Sequence, residues 1–200
     1  MNLLQRIQRW YTINCNGDWE HSYGVSITTL DNPGWTVKID LLDTCLQNAV
    51  LEYETIERTP TNWIGYSVEK GEFEGVGGPK NLFEILEYFL DTFLPSHLDH
   101  DCTIEIGLPV LGYEGQLWLN AKGKMISEST LEITAIEVYN YSTPGNYLWS
   151  NDETLERLNQ PENLPLEVKV DFAIGDRVEP IVFQADDSML RTLLVAPAKK

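Results

Sequence analysis

An alternation of apolar and polar residues with period two most constrains how this chain can fold, because it is typical of half-buried β-strands. It is clearest on both sides of the segment Asp31-Asn32-Pro33-Gly34. The alternating apolar residues are Val25 and Ile27 before the segment and Trp35, Val37, Ile39 and Leu41 after it. Proline fixes φ at the second position of a turn, and the glycine that follows tolerates positive φ. The pattern therefore predicts a β-hairpin with a type II turn.

Two more strands and two helices are predicted in the same half of the chain. Residues 51–57 and 63–69 alternate like the hairpin, so the sheet is predicted to be antiparallel with four strands. Apolar spacings of three and four predict one helix up to Tyr11. A second helix is predicted after the glycine-rich segment 75–79, which is interpreted as a turn, and the segment Pro95-Ser96-His97 is predicted to end it. The helical apolar positions are Leu3, Leu4, Ile7, Trp10, Tyr11, Leu82, Ile85, Leu86, Phe89 and Phe93.

A polar stretch near residue 98 is predicted to separate two domains, because no apolar pattern crosses it. The predicted fold class is α+β. Residues 1–97 would form the sheet flanked by two helices, and residues 98–200 a mostly β domain with one short helix capped by Asp152. Late strands are predicted at 166–174, 178–184 and 189–196, and Pro180 would restrict the middle one to an edge of its sheet.

The chain is strongly acidic, with 14 Lys and Arg against 31 Asp and Glu and a net charge of −17. Such a charge repels phosphate backbones and anionic membranes, so it argues against a nucleic acid or a membrane as partner and favours a basic one. The apolar runs are far shorter than the ~20 residues of a membrane-spanning helix. The first eleven residues lack the apolar core of a secretory signal, so a cytoplasmic location is expected.

The three cysteines, Cys15, Cys45 and Cys102, are predicted to be reduced thiols. Their number is odd and no C-x-x-C spacing occurs, which argues against a disulfide framework or a structural zinc site. His97, His100 and Cys102, with two aspartates among them, are of ligand types but match no known spacing. This cluster is interpreted as a solvated linker, and whether it binds a metal is left open.

Residues 15–24 form the densest polar and aromatic cluster. Cys15 and His21 are of the types that form a nucleophile–base pair in a hydrolase. Asp18, Glu20 and His21 are of the types that bind a metal. The same segment also suits a structural loop in which Asp18 caps a turn, Trp19 packs on the sheet and His21 donates a hydrogen bond. These alternatives stay open at the level of the sequence.

The second half offers a different candidate, a ligand-binding or scaffold surface made of aromatic residues. Tyr139, Tyr141, Tyr147 and Trp149 flank a polar loop that suits a solvent-exposed position. They are either anchors for a partner or part of the packing under the loop.

Several segments of the first half, taken together, resemble one known family. They are Trp10-Tyr11, Cys15, Gly17-Asp18-Trp19-Glu20-His21, Tyr23-Gly24, Thr29-Leu30-Asp31-Asn32-Pro33-Gly34-Trp35, Ile39-Asp40-Leu41 and Gly77-Gly78-Pro79. In order and spacing they are similar to the immunity protein 53 family over about residues 1–94. Asn16 departs from the pattern, because the family often has Asp there. Residues 99–200 resemble no family.

The resemblance implies a small cytoplasmic bacterial protein that protects its producer by binding and blocking a cognate polymorphic toxin. It implies neither catalytic residues nor a cofactor, and it leaves the oligomeric state open. With the acidic composition it predicts a basic toxin, for which a nuclease is one candidate. The residues predicted to bind the toxin are Asp18, Trp19, Glu20, His21, Asp31, Asn32, Trp35, Glu72 and Glu74.

Overall fold

The computed structural model describes residues 1–16, 18–109, 118–137, 174–181 and 193–197. The chain divides into two compact units. The first unit comprises Met1–Cys102 and Ser127–Ser129, and the second begins at Thr103. None of the helices in the described ranges has the length and hydrophobicity needed to cross a membrane.

A five-stranded antiparallel sheet forms the centre of the first unit, in the order β1-β2-β5-β4-β3. The strands are β1 Val25–Leu30, β2 Gly34–Asp40, β3 Leu51–Thr59, β4 Asn62–Glu69 and β5 Glu72–Gly77. The α+β fold class is confirmed, and so are the four predicted strands. The prediction that the sheet has only four strands is wrong, because β5 lies between β2 and β4.

The central strand β5 is not predicted from the sequence because two of its six residues are glycines, which are depleted in strands. Both glycines are needed for space. A Cβ on Gly75 would collide with Cγ2 of Ile85, and a Cβ on Gly77 would lie 2.9 Å from the carbonyl oxygen of Trp63. The interpretation of residues 75–79 as a turn is therefore wrong as far as Gly77.

The β1–β2 hairpin is confirmed, but its predicted type II turn is wrong. Gly34 is the first residue of β2 and does not have positive φ. Position 34 requires glycine for lack of space instead, because a Cβ there would collide with the carbonyl oxygen of Gly77.

Five helical segments accompany the sheet: α1 Leu3–Asn14, α2 Trp19–Ser22, α3 Leu82–Glu87, a π-helical segment Tyr88–Phe93 and α4 Leu94–His97. A capping box between Asn2 and Gln5 begins α1. Both predicted helices are present, and the short α2 is an addition. The predicted end of the second helix at Pro95-Ser96-His97 is confirmed, because α4 ends at His97. Pro95 lies in the first turn of α4, which follows the π-helical segment without a break.

The core of this unit lies between one face of the sheet and the helix formed by α3 and the π-helical segment. Phe73 of β5 packs against Phe89 and Phe93 with ring centroids 5.1 and 5.0 Å apart, and Tyr66 of β4 stacks on Tyr88 at 3.6 Å. The opposite face is the one that carries Lys38, Glu72 and Glu74, and these side chains are about 40% exposed. We call the two sides the covered face and the open face.

Cys45 and Cys102 form a disulfide, so the prediction of reduced thiols is wrong for this pair. Cys45 lies in the loop after β2, and Cys102 lies at the end of the first unit. The two approach because the N–H of Asp99 donates to the carbonyl oxygen of Cys45 at 2.9 Å. The third cysteine, Cys15, is free and buried.

Reduction of the disulfide is expected to lower the free energy of unfolding by about 2–4 kcal/mol, because it closes a loop across a separation of 57 residues. Urea unfolding with and without dithiothreitol measures this difference. The double variant C45S/C102S is the matched control and should unfold at the same urea concentration in both buffers. Equal midpoints for the wild-type chain in the two buffers would contradict the disulfide.

The described part of the second unit is a five-stranded sheet that closes on itself in the order β10-β6-β7-β8-β9. Its strands are β6 Thr103–Pro109, β7 Trp118–Ser127, β8 Thr130–Glu137, β9 Arg177–Ile181 and β10 Leu193–Pro197. The prediction that Pro180 restricts its strand to an edge is wrong, since β9 pairs with both β8 and β10. Pro180 lies beyond the two residues of β9 that pair with β8.

Other predictions for this half concern residues outside the described ranges. They are the helix after Asp152, the strand residues 166–173, 182–184 and 189–192, and the aromatic residues Tyr139, Tyr141, Tyr147 and Trp149.

Candidate functional site

The segment that holds Asp18, Trp19, Glu20 and His21 is shaped by Asn16. The side-chain oxygen of Asn16 accepts hydrogen bonds from the N–H groups of Asp18 and Trp19, at 3.0 and 2.9 Å, just before and at the start of α2. An amide oxygen can accept these bonds as a carboxylate oxygen would. The departure from the family pattern at Asn16 therefore leaves the local structure intact.

Trp19 is buried, with 2% of its surface exposed, and its Nε1–H donates to the carbonyl oxygen of Leu42 at 2.9 Å. Its ring also contacts Tyr11 and Tyr23. These contacts fasten α2 to the loop that follows β2. Trp19 thus has a structural role and does not present its ring at the surface.

The other three side chains of this segment differ in exposure: Asp18 and His21 are exposed and Glu20 is half-buried. Within the described ranges, no group of three His, Cys, Asp or Glu side chains is arranged to hold a metal ion. The metal interpretation of this cluster and of His97, His100 and Cys102 gains no support, and the disulfide engages the sulfur of Cys102.

The thiol of Cys15 is held in its protonated form. Its Sγ donates to the carbonyl oxygen of Tyr11 at 3.2 Å, and only 9% of the residue is exposed. Burial, together with the nearby charge of Glu20, raises the pKa of Cys15 to about 11. Because the thiolate is the nucleophile, this environment does not favour the hydrolase interpretation of Cys15 with His21.

Cys15 is accordingly expected to resist alkylation at pH 8 in the folded protein and to react at the ordinary rate of a free thiol in urea. Iodoacetamide labelling followed by mass spectrometry measures both rates. The unfolded chain in urea is the control for the activity of the reagent, because Cys45 is only 1% exposed in the folded protein and cannot serve as an accessible thiol. Fast labelling of Cys15 in the native chain would contradict its assigned environment.

The turn residues Asp31 and Asn32 are exposed, whereas Trp35 is half-buried. Trp35 lies directly across from Gly77 in the β2–β5 pair, and its Nε1–H donates to the carbonyl oxygen of Pro79 at 3.1 Å. This bond ties the first residues of β2 to the segment that leads into α3. The turn motif and the Gly77-Gly78-Pro79 motif are therefore in contact and stabilise the same part of the fold.

The two predicted segments do not form one patch. Asp31 and Asn32 precede the first residue of β2, whereas Trp19 contacts Leu42, just after the last residue of β2. At ~3.3 Å per residue, the seven residues of β2 place the two segments about 20 Å apart.

Glu72 and Glu74 lie at the same end of the sheet as α2. Glu72 is directly opposite Asp40 on β2 and Glu69 on β4, so three carboxylates form a row across the three central strands. Glu74 is opposite Lys38 in the neighbouring row. We call the carboxylates Asp40, Glu69, Glu72 and Glu74 the acidic face; they line a hollow of about 390 Å³ together with Lys38, Ser67 and Lys70.

Like charges directly opposite each other on a sheet are destabilising. The lysines that line the same hollow, Lys38 and Lys70, offset part of this cost. The Nζ of Lys38 lies 2.7 Å from Oε1 of Glu72 and 3.4 Å from Oε1 of Glu74. The hydrogen bond to Glu72 raises the pKa of Lys38. Asp40 also has a structural bond, because its Oδ2 accepts from the N–H of Gly24 at 2.8 Å.

Asp40 and Glu69 were not among the residues predicted from the sequence. A signal for Glu69 exists in the two residues Lys70 and Gly71, which both have positive φ and form the tight connection between β4 and β5. A two-residue hairpin loop at this place puts Glu69 opposite Glu72. Without β5, this register could not be derived.

Comparison with known proteins identifies the first unit. Residues 4–93 match the model of the immunity protein 53 family. No curated protein and no solved structure matches the chain. The matched range runs from α1 to the end of the π-helical segment and contains the whole five-stranded sheet. By this match, the part of the chain that spans residues 4–93 belongs to the immunity protein 53 family.

Proposed function

We propose that this protein is a stoichiometric inhibitor that binds a cognate polymorphic toxin and blocks it, with the acidic face in the interface. The family of residues 4–93 supports a role in immunity. The observation that supports the location is the row Asp40, Glu72 and Glu69 on the half-exposed open face, where carboxylates outnumber lysines. A partner that supplies cations would relieve their mutual repulsion.

A basic toxin fits this proposal. The net charge of the chain is −17, and a surface of one sign accelerates the association of an oppositely charged partner to ~10⁸–10⁹ M⁻¹s⁻¹ at low salt. The same charge disfavours nucleic acid and anionic membranes as partners. A nuclease, whose cleft has to attract phosphates, is a toxin of suitable charge.

The motif residues that carry the family resemblance mainly stabilise the fold. This supports the assignment of toxin specificity to residues outside the motifs. Trp19 binds the Leu42 carbonyl, Trp35 binds the Pro79 carbonyl, and Asp40 binds the Gly24 N–H. Glu69, Glu72 and Glu74 lie outside those motifs. We therefore assign recognition of this chain's own toxin to these three carboxylates.

Of the other predicted residues, Asp18, Glu20 and His21 lie at the same end of the sheet as Glu72, and we keep them as the margin of the interface. Asp31 and Asn32 lie at the far end of β2, so they would contact only a partner that extends along the sheet. Trp19 is left out because it is buried.

A cytoplasmic location is part of the same proposal, and it requires that the protein function without its disulfide. Disulfides are rare in a reducing cytoplasm. The inhibitor would therefore have to keep its fold and its affinity with Cys45 and Cys102 as thiols. The reduced chain is the form to use when the proposal is tested.

An immunity protein is expected to be encoded next to its toxin, so co-expression with a toxin domain encoded beside this gene tests the function. Cells that express the toxin domain alone should stop growing, and cells that also express the full chain should grow. Protection should saturate once the inhibitor reaches the amount of toxin, because binding is stoichiometric. Growth arrest that persists with an excess of soluble inhibitor would contradict the proposal.

A further inference from the structure

A second hollow lies on the open face, beside the edge strand β3. It has a volume of about 530 Å³, and its walls include Tyr53, Glu57 and Arg58 of β3 and Trp63 of β4. Tyr53 is 62% exposed although it is a large aromatic residue. We call it the aromatic hollow.

The absence of a side chain at Gly65 shapes this hollow. A Cβ there would lie 2.7 Å from the hydroxyl oxygen of Tyr53, so the tyrosine ring lies over the glycine. Trp63 is two residues away on the same strand and therefore on the same face. Glu57 is directly opposite Trp63 in the β3–β4 pair. Two aromatic rings and one carboxylate thus border the same space.

Arg58, the cation at the rim of the hollow, does not pair with the carboxylate of Glu57. Both terminal nitrogens of Arg58 bind the carboxylate of Glu84, at 2.6 and 3.1 Å, and one of them also donates to Asn62. This bond lowers the pKa of Glu84, and the pair neutralises both charges. Glu57 is therefore the carboxylate that faces a ligand in the hollow.

We propose that the aromatic hollow receives an arginine side chain of the toxin. The inference rests on the proposed function, because it names a binding position for the same partner. A planar guanidinium stacks on aromatic rings and pairs with a carboxylate through two parallel hydrogen bonds, which a lysine ammonium cannot do. The excess of negative charge on the chain favours a cationic side chain over an apolar one.

The aromatic hollow and the acidic face are adjacent on one surface. Gly65, under Tyr53, pairs with Val76 of β5, and the next residue pair on this face is Ser67 with Glu74. Strands in a sheet lie ~4.8 Å apart, so a single basic segment of the toxin can reach both. The hollow then supplies an anchor, and the acidic face supplies the surrounding charge complementarity.

The test uses N-acetyl-arginine amide as the probe and the full chain labelled with ¹⁵N. The indole N–H signal of Trp63, assigned with W63F, should shift and saturate as the probe is added. N-acetyl-citrulline amide has nearly the same shape without the charge and should bind about 5-fold more weakly or worse, as expected for a contribution of ~1 kcal/mol. E57Q should weaken the arginine probe similarly, whereas E87Q, which removes an exposed charge on α3, should not.

G65A provides a second variant, because the methyl group displaces the end of a flexible tyrosine side chain and leaves the backbone in place. It should weaken arginine binding without loss of the folded spectrum. Equal binding of arginine and citrulline, or no saturable shift at Trp63, would overturn the hollow as an arginine site. Growth protection that survives with E57Q and G65A unchanged would also overturn it while leaving the proposed immunity intact. Arginine binding in a chain that gives no protection would instead contradict the immunity function.

Discussion

Replacement of both Glu72 and Glu74 by lysine is expected to lower the affinity for the toxin by at least about 100-fold and to abolish protection of growing cells. The double variant places like charges against a basic partner, which costs several kcal/mol, and each 1.4 kcal/mol is a factor of ten. Both side chains are half-exposed, and E72K brings a cation opposite Asp40 and Glu69, which offsets the repulsion of E74K by Lys38, so the fold should tolerate the change. Binding constants from calorimetry and growth in co-expression measure the two effects.

The matched control for this prediction is a charge reversal outside the acidic face. Glu87 lies at the end of α3 and is exposed, so E87K changes the net charge without changing the open face. It should lose affinity only slightly, through weaker long-range steering. The thermal midpoints of all three proteins should agree within a few degrees. If E72K/E74K binds like E87K, the acidic face is not the binding surface.

Trp19→Ala is expected to lower the free energy of unfolding by about 3–5 kcal/mol, the range found for buried Trp and Phe truncations. The side chain is 2% exposed, and the variant also leaves the Leu42 carbonyl without its indole donor. Urea unfolding of the wild type and the variant measures the loss.

Trp19→Phe separates packing from hydrogen bonding, because it keeps an aromatic ring and removes the N–H. It should cost less than Trp19→Ala and should leave the toxin affinity near the wild-type value. A variant that keeps its stability and loses its affinity would show that Trp19 belongs to the interface, in contradiction to its buried position.

The parts of the fold that were predictable are those with a local signal. Alternation around Pro33 and Gly34 gave the first hairpin, and the spacing of Ile85, Phe89 and Phe93 gave the main helix. β5 lacked such a signal because its glycines make room for Ile85 and for the backbone of β4, contacts that exist only in the folded chain.

The candidate site was predictable only in part, because it depends on register. Charge alone points to Glu72 and Glu74, whereas Glu69 is placed beside Glu72 by the Lys70–Gly71 turn, and Asp40 by the pairing of β2 with β5. The disulfide likewise joins residues that only the folded chain brings together. Trp19 and Trp35 look alike as motif residues, and only burial distinguishes their environments.

The most direct test of the inhibitor proposal is a calorimetric titration of the full reduced chain with a toxin domain encoded beside its gene, at low and at high ionic strength. Tight binding with one-to-one stoichiometry is expected, with a Kd that rises markedly with salt, because the interface would join an acidic face to a basic partner. Absence of binding, or a Kd that does not respond to salt, would contradict it.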